Sequence, residues 1–156
     1  MRSLQIPWYV KPFNAIARPL LAMGIPMGPN ALLTVRGRKS GLPRSTPVTI
    51  VEEAGRRWVF GVFGEAEWVR NLRVARRATV TARRRKEDVM AVEQGPDEAI
   101  AFFRDGLAPR YRRTNWLGRW IVRNLDKVDV ENPVEAASGR PVFELYPLES
   151  QGSNAR

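Results

Sequence analysis

In 156 residues the chain carries no cysteine and no histidine, and its 26 basic against 16 acidic side chains give a net charge of +10. That length fits one domain, and the missing thiols and imidazoles exclude disulfides, Cys/His zinc sites, cysteine nucleophiles and Ser-His-Asp triads. Catalysis would fall to a bound cofactor or to a perturbed carboxylate, lysine or tyrosine, and the positive field favours anionic partners such as phosphate cofactors, anionic lipid or nucleic acid.

Pro12 to Met23 places Phe13, Ile16, Ala17, Leu20 and Leu21 at helical spacing behind Trp8 and Tyr9, with Lys11, Asn14 and Arg18 off that stripe. Residues 1–30 therefore read as an amphipathic helical segment that lies on a membrane, covers a lipophilic pocket or docks on the domain that follows. Its apolar run is too interrupted for a signal peptide, and no stretch reaches the roughly 20 apolar residues of a membrane span. The expected location is cytoplasmic, with peripheral contact at the inner face of the membrane.

Ala31 to Val35 reads as a strand, Gly37 to Pro43 as a polar turn and Ser45 to Val51 as the returning strand of a hairpin. After a turn at Glu52 to Arg56, the bulky and β-branched run Arg57 to Phe63 suits a buried strand. The period then changes: Trp68, Leu72 and Ala75 share one face of a short helix over Glu65 to Ala75. Ala78 to Ala82 and Val89 to Val92 alternate as a hairpin around a charged tip at Arg83 to Asp88. Pro96 suits a first helical position, Asp97 and Glu98 complement the dipole, and Ala99, Ile100, Phe103 and Leu107 line one core-facing side. A further helix over Trp116 to Leu125, a last strand over Pro141 to Tyr146 and a disordered tail at residues 149–156 complete the chain. Six strands with interspersed helices predict an α+β domain over residues 31–148, and periodicity alone leaves open whether its sheet is a closed barrel or flat.

The stretch Thr34 to Arg44 packs cations and a hydroxyl into one glycine-containing turn. Positive φ at Gly37 and Gly41 would let backbone N–H groups converge, with Arg38, Lys39 and Arg44 supplying charge and Ser40 a further donor. The alternative is a solvated hairpin tip. The Gly-Lys-Ser/Thr ending of a nucleotide-hydrolysing loop is absent, so this is not such a site.

Gly-Arg-Lys-Ser-Gly-x-Pro-Arg at residues 37–44, followed by Thr46-Pro47 and then by Trp68-x-x-Asn71-Leu72, resembles the family of deazaflavin (F420)-dependent nitroreductases and quinone reductases. The resemblance covers about Ala31 to Val92, with Val142 to Tyr146 matching more loosely. It implies a split β-barrel of the type that also binds FMN, holding reduced coenzyme F420 and transferring its hydride directly to a quinone, a nitro compound or another conjugated small molecule. By that similarity Arg38, Lys39, Ser40, Gly41 and Arg44 hold the phosphate and tail, and Thr46, Pro47 and Val48 follow the cofactor along a strand. Gly61, Val62, Phe63 and Gly64 pass beside the ring, and Trp68 and Asn71 close the site. Core packing for Trp68 and a helix-to-loop hydrogen bond for Asn71 are the ordinary alternatives. The segment Gly64 to Glu67 is shorter than in nitroreductase-type members, and a lysine often found at its start is Gly64 here. No catalytic side chain is assigned and no metal is expected. Tyr111, Trp116 and Trp120, beside Arg110, Arg112 and Arg113, are candidates for covering a planar acceptor or for lid packing.

Three other readings compete. An FMN-loaded barrel has the same general shape. A basic nucleic-acid-binding module is suggested by Arg76, Arg77, Arg83, Arg84 and Arg85, but no aromatic side chains are interleaved with these as a stacking platform requires, so nucleic acid is not expected. A non-catalytic carrier of deazaflavin or fatty acid also fits. The partner expected is a small-molecule electron acceptor, with the protein a monomer or a homodimer.

Overall fold

A computed structural model of the chain describes residues 30–117, 119–120 and 128–148. The expected N-terminal helix, the later part of the Trp116 to Leu125 helix and the tail lie outside the described residues. Among the described residues seven strands form one antiparallel sheet: β1 Asn30–Arg36, β2 Pro43–Thr49, β3 Val51–Glu53, β4 Arg56–Phe60, β5 Arg77–Ala82, β6 Arg85–Glu93 and β7 Val142–Pro147. Their spatial order is β2-β1-β5-β6-β7-β4-β3. β2 and β3 therefore sit at opposite ends of the hydrogen-bonding order, yet only Ile50 separates them in sequence. Consecutive Cα atoms are about 3.8 Å apart, so the two edges can be this close only if the sheet curls round on itself, and β2 accordingly touches β4. This is the split β-barrel, and it resolves the choice between closed and flat sheet that alternation left open.

Alternation sorts side chains to two cores. Leu33, Val35, Val59, Val80, Val89, Phe143 and Leu145 point into the barrel. There they meet Val69 and Leu72 from helix α1 (Glu67–Ala75), which plugs one end. On the outer face Trp58, Phe60 and Val142 pack against Phe102, Phe103 and Leu107. These three belong to a continuous helical stretch made of α2 (Pro96–Ala101), a wider turn over Phe102–Leu107 and α3 (Ala108–Arg113).

Several boundaries differ from expectation for identifiable reasons. The strand expected over Ser45 to Val51 is β2 and β3, broken at Ile50 where the chain passes from one sheet edge to the other. Arg83 and Arg84 alone form the β5–β6 turn, because Ala82 already pairs with Arg85. Both arginines adopt positive φ, 49° and 65°, the conformation a two-residue hairpin turn demands. The helix from Pro96 continues past Leu107 because the segment widens: the Ala108 N–H bonds to the Phe103 carbonyl, five residues back. Pro109 has no N–H and its ring crowds the carbonyl four residues earlier, which the wider turn relieves. A short helix α4 (Pro133–Ala137) was not expected, although Asn132 caps it by accepting from the Glu135 N–H and Pro133 takes its first position.

Candidate cofactor site

The six-residue loop Gly37 to Leu42 joins β1 to β2 at the end of the barrel where α1 begins. Val35, Gly37, Arg38, Lys39, Ser40, Arg44 and Thr46 from the hairpin face Glu67, Trp68 and Asn71 of α1 across a cavity of about 340 Å³. That volume is at the lower end of the range for small-molecule sites.

The loop holds its shape with its own amides. The Gly37 N–H bonds to the Leu42 carbonyl (2.8 Å), that of Gly41 to the Gly37 carbonyl (2.9 Å) and that of Leu42 to Ser40 Oγ (3.2 Å). Gly41 has the expected positive φ of 72°. Gly37 does not; space is what requires glycine there, since a Cβ would lie 2.7 Å from Ser40 Oγ and 3.2 Å from the Leu42 carbonyl. The expected positive φ is thus met at Gly41 and corrected at Gly37, and the amides of both glycines are spent closing the turn. Among the described residues, the loop amides with no such bond are those of Lys39 and Ser40. Ser40 Oγ accepts from Leu42, which leaves its own hydrogen free to donate.

Arg38 and Asn71 join the loop to the helix. Asn71 Oδ1 is buried and accepts twice, from the Arg38 backbone N–H at 3.2 Å and from Arg38 Nη1 at 2.8 Å. The same Nη1 donates to Glu67 Oε2 at 2.9 Å, so both of its hydrogens are used. The Glu67 carboxyl is held below its usual range, chiefly by this hydrogen bond. Lys39 and Arg44 stand exposed, with no ion pair among the described residues. The helix-to-loop hydrogen bond considered for Asn71 is therefore present, and Arg38, half-buried, is a positioning group as well as a cation. Trp68 lines the cavity and also packs on the barrel core, its ring 6.5 Å from that of Phe143.

Seven of the candidate residues thus share one cavity: Arg38, Lys39, Ser40, Arg44, Thr46, Trp68 and Asn71. Seven others proposed for the cofactor do not line it. Gly41 faces solvent on the loop, Pro47 is paired with Leu32 along β2, and Val48 is buried in the barrel core. Gly61, Val62, Phe63 and Gly64 form the turn from β4 into α1. A Cβ on Gly61 would overlap the Gly64 carbonyl, so the close approach made at this turn is between the chain's own backbone segments. The Val62 carbonyl accepts from Arg140 Nε at 2.9 Å, and Val62 packs on the outer core. Tyr111 packs against that core too, and Trp116 and Trp120 are exposed; none lines the cavity. The lining residues that sequence reasoning did not single out are Val35 and Glu67, and Glu67 carried no signal beyond its place one residue before Trp68.

The molecule is thus a split β-barrel with a cavity rich in cations between its first hairpin and α1. Residues 15–116, about two thirds of the chain, match the sequence pattern of the F420H(2)-dependent quinone reductase family. The chain belongs to that family and is an oxidoreductase whose coenzyme is F420H2. Comparison with curated protein sequences returns no match. Among solved structures, a protein titled F420-H2 dependent reductase (FDR-A) is 21% identical over 76% of this chain and 94% of that one, with a TM-score of 0.46. A structure titled a domain-swapped dimer is 20% identical over 85% of this chain and 95% of that one, with a TM-score of 0.48. At those values neither adds to the family assignment, which rests on the matched residues.

Proposed function

We propose that the chain holds the phosphate and anionic tail of F420 in the cavity at the β1–β2 loop and passes hydride from the reduced ring to a quinone, a nitro compound or another conjugated electrophile. One observation carries this reading: Lys39 and Ser40 of the loop and Arg44 at the start of β2, groups with charge or a hydrogen to give, open onto the same cavity as Trp68. A phosphate needs donors of that kind, and the donor set fits it. The coenzyme supplies the hydride; the chain's own groups bind and orient. Arg38, fixed through Asn71, holds the loop at its distance from α1. Thr46 offers a hydroxyl at the cavity wall, and Trp68 offers an apolar plane backed by the barrel core. We place Pro47 and Val48, with the Gly61 to Gly64 turn, along the path of the ring. In this reading the hydride transfer has no obligatory protein acid, and solvent supplies the proton that completes the reduced acceptor.

The arginines that suggested nucleic-acid binding are split by the fold. Arg76 and Arg77 stand at the start of β5, whereas Arg83 and Arg84 form the turn after it and Arg85 begins β6, so the two groups lie about 20 Å apart along a strand of that length. Lipophilic quinones as acceptors would suit contact of residues 1–30 with a membrane surface. Among the described residues no helix is long and apolar enough to cross one.

The test is turnover. Reduced F420 mixed with the protein and menadione, and separately with a nitroaromatic panel, is expected to be reoxidised at a rate proportional to protein. Reoxidation no faster than without protein, or equal turnover with reduced FMN in its place, would refute the reading.

A further inference from the structure

Glu67 is the single carboxylate among the described residues that line the cavity, where it faces Arg38, Lys39 and Arg44. It sits in the first turn of α1, whose N-terminal end attracts negative charge. One of its oxygens takes a hydrogen bond from Arg38 Nη1 at 2.9 Å and the other lies 3.4 Å from Arg70 Nη1. Its side chain is 70% exposed against 19% for that of Arg38. The two bonds of Arg38 Nη1 are therefore unequal. The one to buried Asn71 is shielded and is joined by the backbone bond to the same oxygen, whereas the one to Glu67 is an exposed ion pair of the kind that contributes little and exchanges readily.

We propose that Glu67 is an internal stand-in for the ligand's anion: it occupies Arg38 while the cavity is empty and yields it to a phosphate, so that its charge sets how strongly the site prefers phosphate-bearing ligands. The proposal rests on the reading of this cavity as the phosphate site and adds to it the group that limits affinity. Release of Glu67 frees one hydrogen of Arg38 Nη1 toward the cavity while Asn71 keeps the loop in place. A ligand without a phosphate has nothing to offer Arg38 and leaves the ion pair intact. A phosphate must compete with the carboxylate for the same donor and also sits near its charge.

The experiment compares the wild-type chain with Glu67→Gln, which keeps the size of the side chain and removes its charge. Three probes are titrated at low ionic strength: F420, the same deazaflavin lacking phosphate and tail, and inorganic pyrophosphate. The first two are followed by deazaflavin fluorescence, and pyrophosphate by the amide resonances of residues 37–44. The substitution is expected to tighten F420 and pyrophosphate by about three- to tenfold, an effect that shrinks with added salt, and to change the phosphate-free compound by less than about twofold. If F420 is ignored by both proteins while pyrophosphate still tightens, the role of Glu67 stands and the coenzyme assignment falls. Unchanged or weaker pyrophosphate and F420 binding in Glu67→Gln overturns the proposal, weaker binding meaning that the carboxylate holds Arg38 where the ligand needs it. Melting curves of the two proteins accompany the titrations, and a Glu67→Gln protein that melts like wild type yet binds no more tightly counts against the proposal.

Discussion

Replacing Asn71 separates the structural role of the loop anchor from its electrostatic one. In Asn71→Ala the Arg38 backbone N–H and the shielded side of its guanidinium lose a shared acceptor that is 6% exposed. A net hydrogen bond is worth about 1 kcal/mol and one to a charged group somewhat more. The two together come to about 2 kcal/mol, after allowing for the part of Arg38 that water still reaches. For a chain of this length that is a fall in Tm of roughly 4–8 °C. Asn71→Asp has the same shape and keeps an acceptor, now charged, opposite Arg38, so its stability is expected to stay within about 1 kcal/mol of wild type. It also adds a second carboxylate to the cavity and is expected to weaken F420 binding by about tenfold at low salt. Thermal melts and fluorescence titration of the two variants beside wild type make the check. An Asn71→Ala protein that melts at the wild-type temperature, or an Asn71→Asp protein that binds F420 as wild type does, would refute the reasoning.

The β5–β6 turn holds two arginines in a left-handed conformation that favours Asn and Gly. Arg83→Asn combined with Arg84→Gly should raise stability by about 1 kcal/mol in denaturant unfolding. Gly61→Ala sets a methyl group against the backbone carbonyl of Gly64, which cannot move without shifting the start of α1, so a loss of about 1–3 kcal/mol is expected by the same assay. Arg56 donates two hydrogen bonds of 2.8 Å to buried Glu144 and holds its carboxyl below the usual range. A depressed folded value means that this contribution is complete above the unfolded carboxyl value near 4.3 and is lost as pH falls through the lower folded value. Glu144→Gln should therefore melt below wild type at pH 7, by an amount equivalent to about 1 kcal/mol, with the gap closing toward pH 3; a gap that stays constant with pH would contradict this.

Much of the barrel was written locally. The alternation of Ala78, Val80 and Ala82 with Thr79 and Thr81, the helical spacing of Trp68, Leu72 and Ala75, and the proline and acids at Pro96 to Glu98 each depend on residues close in sequence, so they could be read without a structure. Closure could not be read this way, because it follows from β2 and β3 joining opposite sheet edges through Ile50. The cations of the loop were legible for the same local reason, but their division of labour was not. Arg38 is paired with Glu67 and Asn71, which lie 29 and 33 residues away, and only the folded chain shows that Lys39 and Arg44 make no ion pair among the described residues. The role of Gly37 was misjudged because lack of space and positive φ both select glycine and look alike in sequence. The capping signal Asn132-Pro133-x-Glu135 was present but stood in a stretch without periodicity around it.

In the function proposed above, Lys39 and Arg44 grip the anionic end of F420. Fluorescence titration of F420 into wild type and into a Lys39→Ala, Arg44→Ala double variant tests it most directly. Neither side chain makes an ion pair among the described residues, so the variant should melt within about 1 kcal/mol of wild type. Loss of two charge-assisted contacts should weaken F420 binding by about 30-fold or more and leave the phosphate-free deazaflavin nearly unaffected. Equal F420 affinity in the two folded proteins would contradict the account.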